Sequence, residues 1–521
     1  MNQIVDMLNK LNLKNKDYEL YGNNIAKINV NNQLSSNKKG KLIVLTSINP
    51  TPAGEGKTTT AIGLVDSLNL LNKQAILALR EPSLGPIFGQ KGSASGGGES
   101  VVIPEEKINF HFTGDNHAIT SANNLISSAI DNEIYWKSSL NLDPQRIIWK
   151  RCLDLNDRSL REIEIKVSKT ITRKEQFTIT AASSMMTILT LSISEADLRE
   201  RIKTSLVGYS KTGKEIFVSD LKITGAVMTL LKDVIKPNFV LTKYNSPVLI
   251  HCGPFANISI GTNSILSTKL ALSLADYAVI ETGFGSDLGF EKFMNLINDS
   301  VDLMPDCVVM VVTLRALQLH NDFQNNFSHL HQHLKHIKLY NLNLVVAINY
   351  IEGDDIVQLQ QLQDWLTKNN FFWAVNKAYT DGPGGAVDLA SLIIKQADVK
   401  IKYKKLINNT DDITKKIEKI VKHFYYLNKV VFSNKVKKII NEIIDTKYEK
   451  YPICIVKSHA SIDGNDNDKK DYQLKIENIE INTGGRFILV YTNKIFAMPG
   501  LNKNSNYQNM DLINDEIIGI K

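Results

Sequence analysis

A glycine-rich stretch near the N-terminus carries residue types that bind phosphate groups. It reads Thr51-Pro-Ala-Gly-Glu-Gly-Lys-Thr-Thr59 and follows an apolar, β-branched stretch at residues 41–48 that predicts a buried strand. After it, apolar residues recur at helical spacing as far as Leu71. A loop between a strand and a helix aims backbone N–H groups and the helix dipole at an anion. Lys57 adds a full charge, and Thr58 stands where such loops hold Mg²⁺ through a hydroxyl.

This pattern predicts a nucleotide site with Lys57 among its catalytic residues. The predicted nucleotide contacts are nine consecutive residues, namely Thr51, Pro52, Ala53, Gly54, Glu55, Gly56, Lys57, Thr58 and Thr59. One position departs from the strict pattern, which has glycine where this chain has Thr51. An ordinary strand-to-helix turn with a surface lysine is the alternative.

A second candidate cation follows the next predicted strand. Residues 74–79 are apolar and deliver Arg80, after which residues 88–98 are rich in glycine. Strands that alternate with helices predict a mainly parallel sheet with its ligands at the carboxyl ends of the strands. We therefore expect Arg80 to lie along the same edge as the phosphate loop. Glycine allows close approach of the backbone, so residues 88–98 are predicted to line the site; a flexible loop is the alternative.

The spacing of strand patterns predicts several domains in this chain of 521 residues. Strand patterns return at residues 247–251, 277–280, 307–313 and 342–348, whereas residues 137–230 look rich in charged helix. The predicted fold is an α/β phosphate-loop core with a mainly parallel sheet, an inserted α/β domain and a C-terminal α/β domain. The predicted boundaries are 1–130 and 236–351 for the two parts of the core, 131–235 for the insertion and 352–521 for the C-terminal domain.

Composition narrows the class of protein. The chain is 43% hydrophobic and 22% charged, and 61 basic against 54 acidic residues give a net charge of +7. The excess of lysine follows a general bias toward lysine, asparagine and isoleucine, so nucleic-acid binding is weakly supported. The four cysteines form no disulfide framework, and neither a secretory signal nor a membrane span is visible. A cytoplasmic location is expected.

Three other patterns are candidates for chemistry. Phe284 lies between glycines, which suits stacking against a flat base, although a core position is the rival interpretation. His329, His333 and His336 share one helical face, but neither a carboxylate nor a cysteine joins them, so metal binding is the less favoured interpretation. Asp115 stands in a His-Phe-Thr-Gly-Asp-Asn-His stretch, where a helix-capping role is the alternative to ligand binding.

Several stretches, taken in order, resemble the formate–tetrahydrofolate ligase family. They lie at residues 51–60, 80–98, 111–118, 156–158, 253–257, 275–293, 314–317 and 497–500. Each motif alone is weak, but the ordered set runs almost from end to end and is specific.

The resemblance implies an ATP-dependent ligase. ATP would phosphorylate formate, and N10 of tetrahydrofolate would attack the formyl phosphate, giving 10-formyltetrahydrofolate, ADP and phosphate. By resemblance, Lys57 and Arg80 grip formyl phosphate, Phe284 stacks on adenine, and Asp115, Ile351 and Ala378 lie on the substrate side. Mg²⁺, a monovalent cation and a homotetramer are also implied, with formate, tetrahydrofolate and ATP as the small-molecule partners.

The departures from the family pattern cluster on the folate side. Ile351 and Ala378 stand where two aromatic rings that sandwich the folate pterin are expected, with Tyr350 and Tyr379 next to them. The pattern Lys-Thr-Gln-Tyr-Ser reads Lys-Ser-His-Ala-Ser at 457–461. The alternative hypothesis is therefore a divergent nucleotide-binding paralogue with weak or no ligase activity. On either hypothesis, we expect nucleotide binding typical of the family and weaker binding of tetrahydrofolate.

Overall fold

The computed structural model describes residues 3–30, 39–52, 54–297, 301, 303–465, 472–492 and 495–520. In chain order the strands are β1 (Tyr18–Leu20), β2 (Ala26–Ile28), β3 (Lys41–Ser47), β4 (Ala75–Leu79), β5 (Gly96–Gly97), β6 (Ser100–Ile103), β7 (Leu142–Ile147), β8 (Arg151–Leu153), β9 (Ile163–Lys166), β10 (Thr172–Glu175), β11 (Phe177–Ile179), β12 (Leu206–Ser210), β13 (Glu215–Phe217), β14 (Asn238–Thr242), β15 (Pro247–Ile250), β16 (Tyr277–Gly285), β17 (Cys307–Val312), β18 (Leu344–Asn349), β19 (Phe372–Asn376), β20 (Val430–Phe432), β21 (Ile453–Val456), β22 (Leu474–Ile476), β23 (Asn478–Asn482), β24 (Phe487–Tyr491), β25 (Asp511–Ile513) and β26 (Glu516–Ile518).

Helices connect these strands and cover the sheets. The α-helices span Gln3–Lys10, Lys57–Leu70, Leu84–Phe88, Glu105–Asn109, Asp115–Tyr135, Ser184–Leu191, Glu195–Lys203, Thr224–Leu230, Ile265–Leu274, Leu314–Leu319, Ser328–Leu339, Ile356–Lys368, Ala378–Asp381, Val387–Ala397, Ile413–Phe424 and Asn434–Ile443. Two π-helical turns, Ser286–Phe290 and Phe293–Ile297, follow β16. None of the helices in the described ranges has the length and apolar character needed to cross a membrane.

The centre of the molecule is one large, mostly parallel sheet, as the α/β prediction required. Its main strand order is β1-β2-β14-β15-β4-β16-β3-β17-β18-β19, and the seven strands from β15 to β19 run parallel. Parallel strands covered by helices on both faces are apolar at successive positions. In β3, Leu42 and Val44 enter one core while Ile43 and Leu45 enter the other. The continuous apolar runs in the sequence therefore predicted these strands correctly.

The region between the two parts of the central sheet contains more strand than the sequence suggested. Residues 137–230 include seven strands, β7 to β13, which form small separate sheets. The expectation of charged helix in residues 137–230 was wrong for residues 149–158, because β8 lies within that stretch and pairs with β11 in parallel. Burial alternates along β8, with Cys152 buried and its neighbours partly exposed, which is the two-residue period of a strand.

The central sheet also continues beyond residue 351. β19 pairs with β18 along its whole length, and the helix Val387–Ala397 packs against it. The four-part division of the chain stays a prediction, but the sheet that carries the site includes residues from both sides of the 351/352 boundary. Downstream, β21, β24 and β23 form a separate small sheet.

A buried ion pair ties this C-terminal sheet to the core. Lys457, directly after β21, donates from Nζ to Asp287 Oδ2 at 2.6 Å, and both side chains are fully buried. The same ammonium group donates to the carbonyls of Ser458 and Ser461 at 2.9 and 2.7 Å. All three protons of the Lys457 ammonium group thus form hydrogen bonds, and these bonds fix the segment 457–461 against the core.

Removing this cation should loosen the C-terminal sheet. Lys457→Met leaves the Asp287 carboxylate buried without its partner, which costs about 3–5 kcal/mol. The measurement is native-state hydrogen exchange of the β21 amides, which reports local stability in a chain of this size. Lys475→Met is the matched control, because Lys475 and Glu477 pair at 2.9 Å on the surface, where the expected change is within about 1 kcal/mol. Equal protection in the two variants would contradict the anchoring role.

Candidate active site

Three neighbouring strands deliver charged side chains to one edge of the central sheet. β16 lies between β4 and β3, so the Arg80 that follows β4, Glu281 in β16 and the loop after β3 converge. Glu281 Oε2 accepts a hydrogen bond from the Thr58 hydroxyl at 2.9 Å. Glu281 Oε1 lies 3.6 Å from the Arg80 guanidinium. One carboxylate therefore connects the predicted magnesium hydroxyl with the predicted phosphate-gripping arginine.

Lys57 opens the helix at the same edge. Its Nζ donates to the Ser47 hydroxyl at 3.0 Å, at the end of β3. Burial lowers the pKa of Lys57; Glu281 and Glu55 oppose this shift, and Arg80 adds to it. The helix N-cap, Gly56, has no side-chain cap, so the first N–H groups of the helix are not capped from there. A poorly solvated cation beside uncapped N–H groups favours an incoming anion.

Arg80 has spare binding capacity in the described structure. Its Nε is buried and has no hydrogen-bond partner among the described residues. A Cβ placed on Gly283 would lie 3.1 Å from the Arg80 guanidinium, so that glycine leaves room for the arginine. A buried, unpaired donor is costly unless a ligand uses it. The geometry thus fits an anion held between Arg80 and Lys57.

Lys91 is a third cation of this cluster and was not identified from the sequence. Burial among surrounding atoms and the positive charge of Arg80 lower its pKa to about 8, with Glu281 opposing and Lys57 assisting. By surface area Lys91 is exposed, which places it at the mouth of the site, where solvent moderates this lowering of its pKa. The glycine-rich stretch 88–98 thus places Lys91 near the charged groups of Arg80, Glu281 and Lys57, as expected of a loop that lines the site.

The loop itself is braced by Glu55. One oxygen of Glu55 accepts the Thr51 backbone N–H at 2.7 Å, and the other accepts the Thr313 hydroxyl at 2.5 Å. Arg315 donates to the Gly54 carbonyl at 2.8 Å. Glu55 therefore shapes the loop, and its two carboxylate oxygens are already engaged.

Two glycines in the loop are required by geometry. Gly54 and Gly56 have φ of 77° and 66°, and a Cβ on Gly56 would lie 2.3 Å from the Asn349 side chain. Thr51 is not in the left-handed region, so the departure from the strict pattern carries no backbone strain. Of the remaining predicted contacts, Pro52 is exposed and Thr59 half-buried, while Ala53 lies outside the described residues.

Phe284 lies directly beside this cluster and is half-buried. Its backbone has φ of 57°, and its carbonyl accepts from the Ser47 hydroxyl at 3.1 Å, the same hydroxyl that Lys57 contacts. Its ring stacks on the ring of His459, with centroids 4.5 Å apart and planes 22° apart. Phe284 is therefore close enough to the phosphate loop for the predicted adenine contact, which stays a prediction.

The residues predicted on the substrate side are not all exposed. Asp115 is buried, with Lys27 Nζ at 2.8 and 2.9 Å and the Asn238 amide at 2.9 Å, so its contacts are structural. Ile351 is 37% exposed. Ala378 is fully buried, and a Cβ on Gly63 would lie 2.2 Å from its Cβ, which leaves no room for a ligand.

The exposed ring at this edge belongs to Tyr379. It is 55% exposed, and a Cβ on Gly97 would lie 3.2 Å from its ring. The alignment places Ala378 where the second aromatic ring is expected, with Tyr379 next to it. The structure buries Ala378 and exposes Tyr379, so Tyr379 is the aromatic side chain available here.

The histidine group forms a hydrogen-bonded cluster. The Nε2 atoms of His329 and His333 both lie 2.9 Å from Asn49 Oδ1. The Ser286 hydroxyl lies 2.7 Å from His333 Nδ1 and 2.8 Å from His336 Nδ1. Burial lowers the pKa of His336 to about 3, which keeps that ring neutral. No group of three or more metal-ligating side chains suited to an ion occurs within the described ranges.

Glu281 is the central residue that sequence reasoning missed. Glu281 follows the apolar run Tyr277-Ala-Val-Ile. Its position near the carboxyl end of a predicted parallel strand is the sequence signal that could have identified it as a site residue.

The chain is similar to known proteins along almost its whole length. The family model described as formate–tetrahydrofolate ligase matches residues 1–521. A protein of Acholeplasma laidlawii (strain PG-8A) named formate–tetrahydrofolate ligase is 42% identical over 520 residues, which cover 96% of this chain and 97% of its own length. A protein of Petrotoga mobilis (strain DSM 10674 / SJ95) with the same name is 41% identical over 535 residues, covering 98% of this chain and 96% of its own.

The cation cluster predicts a pH-dependent affinity for phosphate. With a free pKa of about 8, Lys91 is charged below that pH, and a bound anion raises its pKa. Affinity for inorganic triphosphate should therefore be highest below pH 8 and fall as pH rises above it. Calorimetry between pH 6.5 and 9.5 measures this, and Lys91→Met should flatten the profile. Lys211→Met, at an exposed site, is the control; an unchanged profile in Lys91→Met would contradict the assignment.

Proposed function

Because this chain belongs to the formate–tetrahydrofolate ligase family, we propose that it joins formate to tetrahydrofolate at the expense of ATP. A formate oxygen attacks the γ-phosphorus, and ADP leaves. N10 of tetrahydrofolate then attacks the carbon of formyl phosphate, phosphate leaves, and N10 loses its proton. The observation that carries the proposal is the convergence of Lys57 and Arg80 on one edge, with the buried Arg80 Nε still unpaired.

The cations suit phosphoryl transfer because that reaction depends on neutralising charge on the transferred group. Lys57 neutralises oxygens of the transferred phosphate, together with the helix N-terminus. Arg80 offers a planar set of donors, which matches the oxygens of formyl phosphate. Lys91, at the mouth of the site, screens the remaining negative charge.

Thr58 and Glu281 fit Mg²⁺. The Thr58 hydroxyl and the Glu281 carboxylate, 2.9 Å apart at the phosphate edge, are oxygen ligands of the kind Mg²⁺ prefers, and these two residues would hold the ion together with oxygens of the nucleotide. When bound, Mg²⁺ neutralises charge on the phosphates of ATP. The monovalent cation and the homotetramer implied by the family resemblance, and the cytoplasmic location expected from the composition, remain parts of the proposal.

On the folate side we propose Tyr379 and Ile351 as the two walls of the pterin site. Both are exposed at the ends of neighbouring parallel strands, β19 and β18. One face of the pterin then meets an aromatic ring and the other an aliphatic side chain. This arrangement favours an active ligase with reduced folate affinity over the paralogue without turnover.

Isotope transfer tests the reaction and its intermediate together. With ATP, tetrahydrofolate and formate labelled with ¹⁸O in both oxygens, one ¹⁸O should appear in inorganic phosphate and none in the nucleotide. Lys57→Ala should lower turnover by about 100- to 1,000-fold, because it removes a charge that stabilises the transferred phosphate. Label in AMP, or normal turnover in Lys57→Ala, would contradict the proposal.

If Tyr379 and Ile351 form the two walls of the pterin site, substitutions at these two positions should have opposite effects on tetrahydrofolate binding. Tyr379→Ala should weaken tetrahydrofolate binding by about 2- to 10-fold and Ile351→Phe should strengthen it, because an aromatic pair contributes roughly 0.5–1.5 kcal/mol beyond area burial. Calorimetry with tetrahydrofolate and, separately, ADP measures both, and ADP affinity should not change. Tyr507→Ala, at a similarly exposed tyrosine, is the control. Unchanged folate affinity in both wall variants would show that the pterin binds elsewhere.

A further inference from the structure

One face of the Phe284 ring is covered by another ring of this chain. His459 lies on it in a nearly parallel stack, with centroids 4.5 Å apart. His459 belongs to the C-terminal part of the chain, 175 positions after Phe284, so the contact is a tertiary one. A stacked imidazole and a stacked purine make the same kind of contact with a phenyl ring.

The backbone under His459 is held in place. The Asn49 side-chain amide donates to the His459 carbonyl at 3.1 Å. Lys457, in its buried pair with Asp287, bonds the carbonyls of Ser458 and Ser461 on either side. Asn49 is in turn hydrogen-bonded to His329 and His333, so this support extends into the histidine cluster. The main chain at His459 is therefore restrained, while the side chain has its own torsions.

These restraints decide between two ways in which a base can reach Phe284. A purine sandwiched between the two rings would need about twice their present separation, and the anchored backbone opposes that movement. Rotation of the His459 side chain frees the Phe284 face without moving the backbone. Displacement is therefore the less costly route.

We propose that His459 is a residue of the nucleotide base site, where its imidazole occupies the Phe284 face and is displaced by the purine of ATP. This inference rests on the proposed function, because it requires that Phe284 stacks on adenine. Each binding event then exchanges one stacked pair for another, so that His459 lowers the affinity for purine nucleotides. Ligands without a base do not compete with the imidazole.

Calorimetry with two probes, MgADP and inorganic triphosphate, tests the proposal on the full-length protein. His459→Ala should bind MgADP about 2- to 10-fold more tightly, since an aromatic pair no longer has to be broken. Its affinity for inorganic triphosphate should match that of the unmodified protein. His459→Gln, which keeps a polar side chain of similar length, should show the same preference. His423→Ala, on the helix Ile413–Phe424, is the control and should change neither affinity.

Phe284→Ala separates this inference from the proposed function. If adenine stacks there, adding Phe284→Ala to His459→Ala weakens MgADP binding, whereas adding His459→Ala to Phe284→Ala gives no gain. Equal MgADP affinity in His459→Ala and in the double variant would remove the adenine assignment itself. Weaker binding in the double variant than in His459→Ala, together with MgADP binding in His459→Ala that is no tighter than in the unmodified protein, would overturn the displacement proposal alone. If His459→Ala also bound inorganic triphosphate more tightly, by the same factor as MgADP, the displacement proposal would be overturned, because the change in affinity would not depend on the purine base.

Discussion

The rest of this site depends on one electrostatic constraint: three positively charged side chains lie around a single carboxylate, that of Glu281. Arg80, Lys57 and Lys91 come from different segments, and Glu281 opposes the lowering of both lysine pKa values. Arg80 and Lys57 are partly buried and Lys91 is exposed beside them; like charges held this close repel one another, and an anion relieves that repulsion. The cluster is therefore preorganised for a phosphate group, because its unfavourable electrostatics in the free protein become favourable when the phosphate arrives.

The fold supplies the rigidity that such a cluster needs. Parallel strands place their carboxyl ends at one edge, and the adjacent order β4-β16-β3 brings together residues that are distant in sequence. Glu55 then fixes the loop through Thr51 and Thr313, so that its N–H groups keep their direction without a ligand. The C-terminal segment adds a second layer through the Lys457–Asp287 pair and brings His459 onto Phe284. On the proposed function, phosphate recognition lies in the core, while access to the base involves the C-terminal segment.

The convergence of Lys57 and Arg80 on one edge of the sheet was largely predictable from the sequence, because its signals are local. Glycines, one lysine and the strand and helix patterns sufficed for Lys57, and the rule for parallel strands placed Arg80 at the same edge. Glu281 and Lys91 were missed, since their roles depend on strand order and on the path of a glycine-rich loop. Neither property is encoded in the spacing of neighbouring residues.

The folate side and the inserted region show a different limit. Placing Ala378 rather than Tyr379 at the pterin depends on a one-residue alignment, and the sequence does not show that Ala378 is fully buried while Tyr379 is 55% exposed. Residues 149–158 mix apolar and charged side chains in a way that fits helix and strand alike, and only pairing with β11 selected the strand. The histidines share one helical face as predicted, but their partners Asn49 and Ser286 come from other elements.

A crystal structure with Mg²⁺, formate and a non-hydrolysable ATP analogue tests the central claim most directly. The account predicts the terminal phosphate within hydrogen-bond distance of both Lys57 Nζ and the Arg80 guanidinium, with Mg²⁺ beside Thr58 and Glu281. It also predicts that Lys57 leaves the Ser47 hydroxyl for a phosphate oxygen. A terminal phosphate bound away from Arg80, with Lys57 still on Ser47, would contradict it.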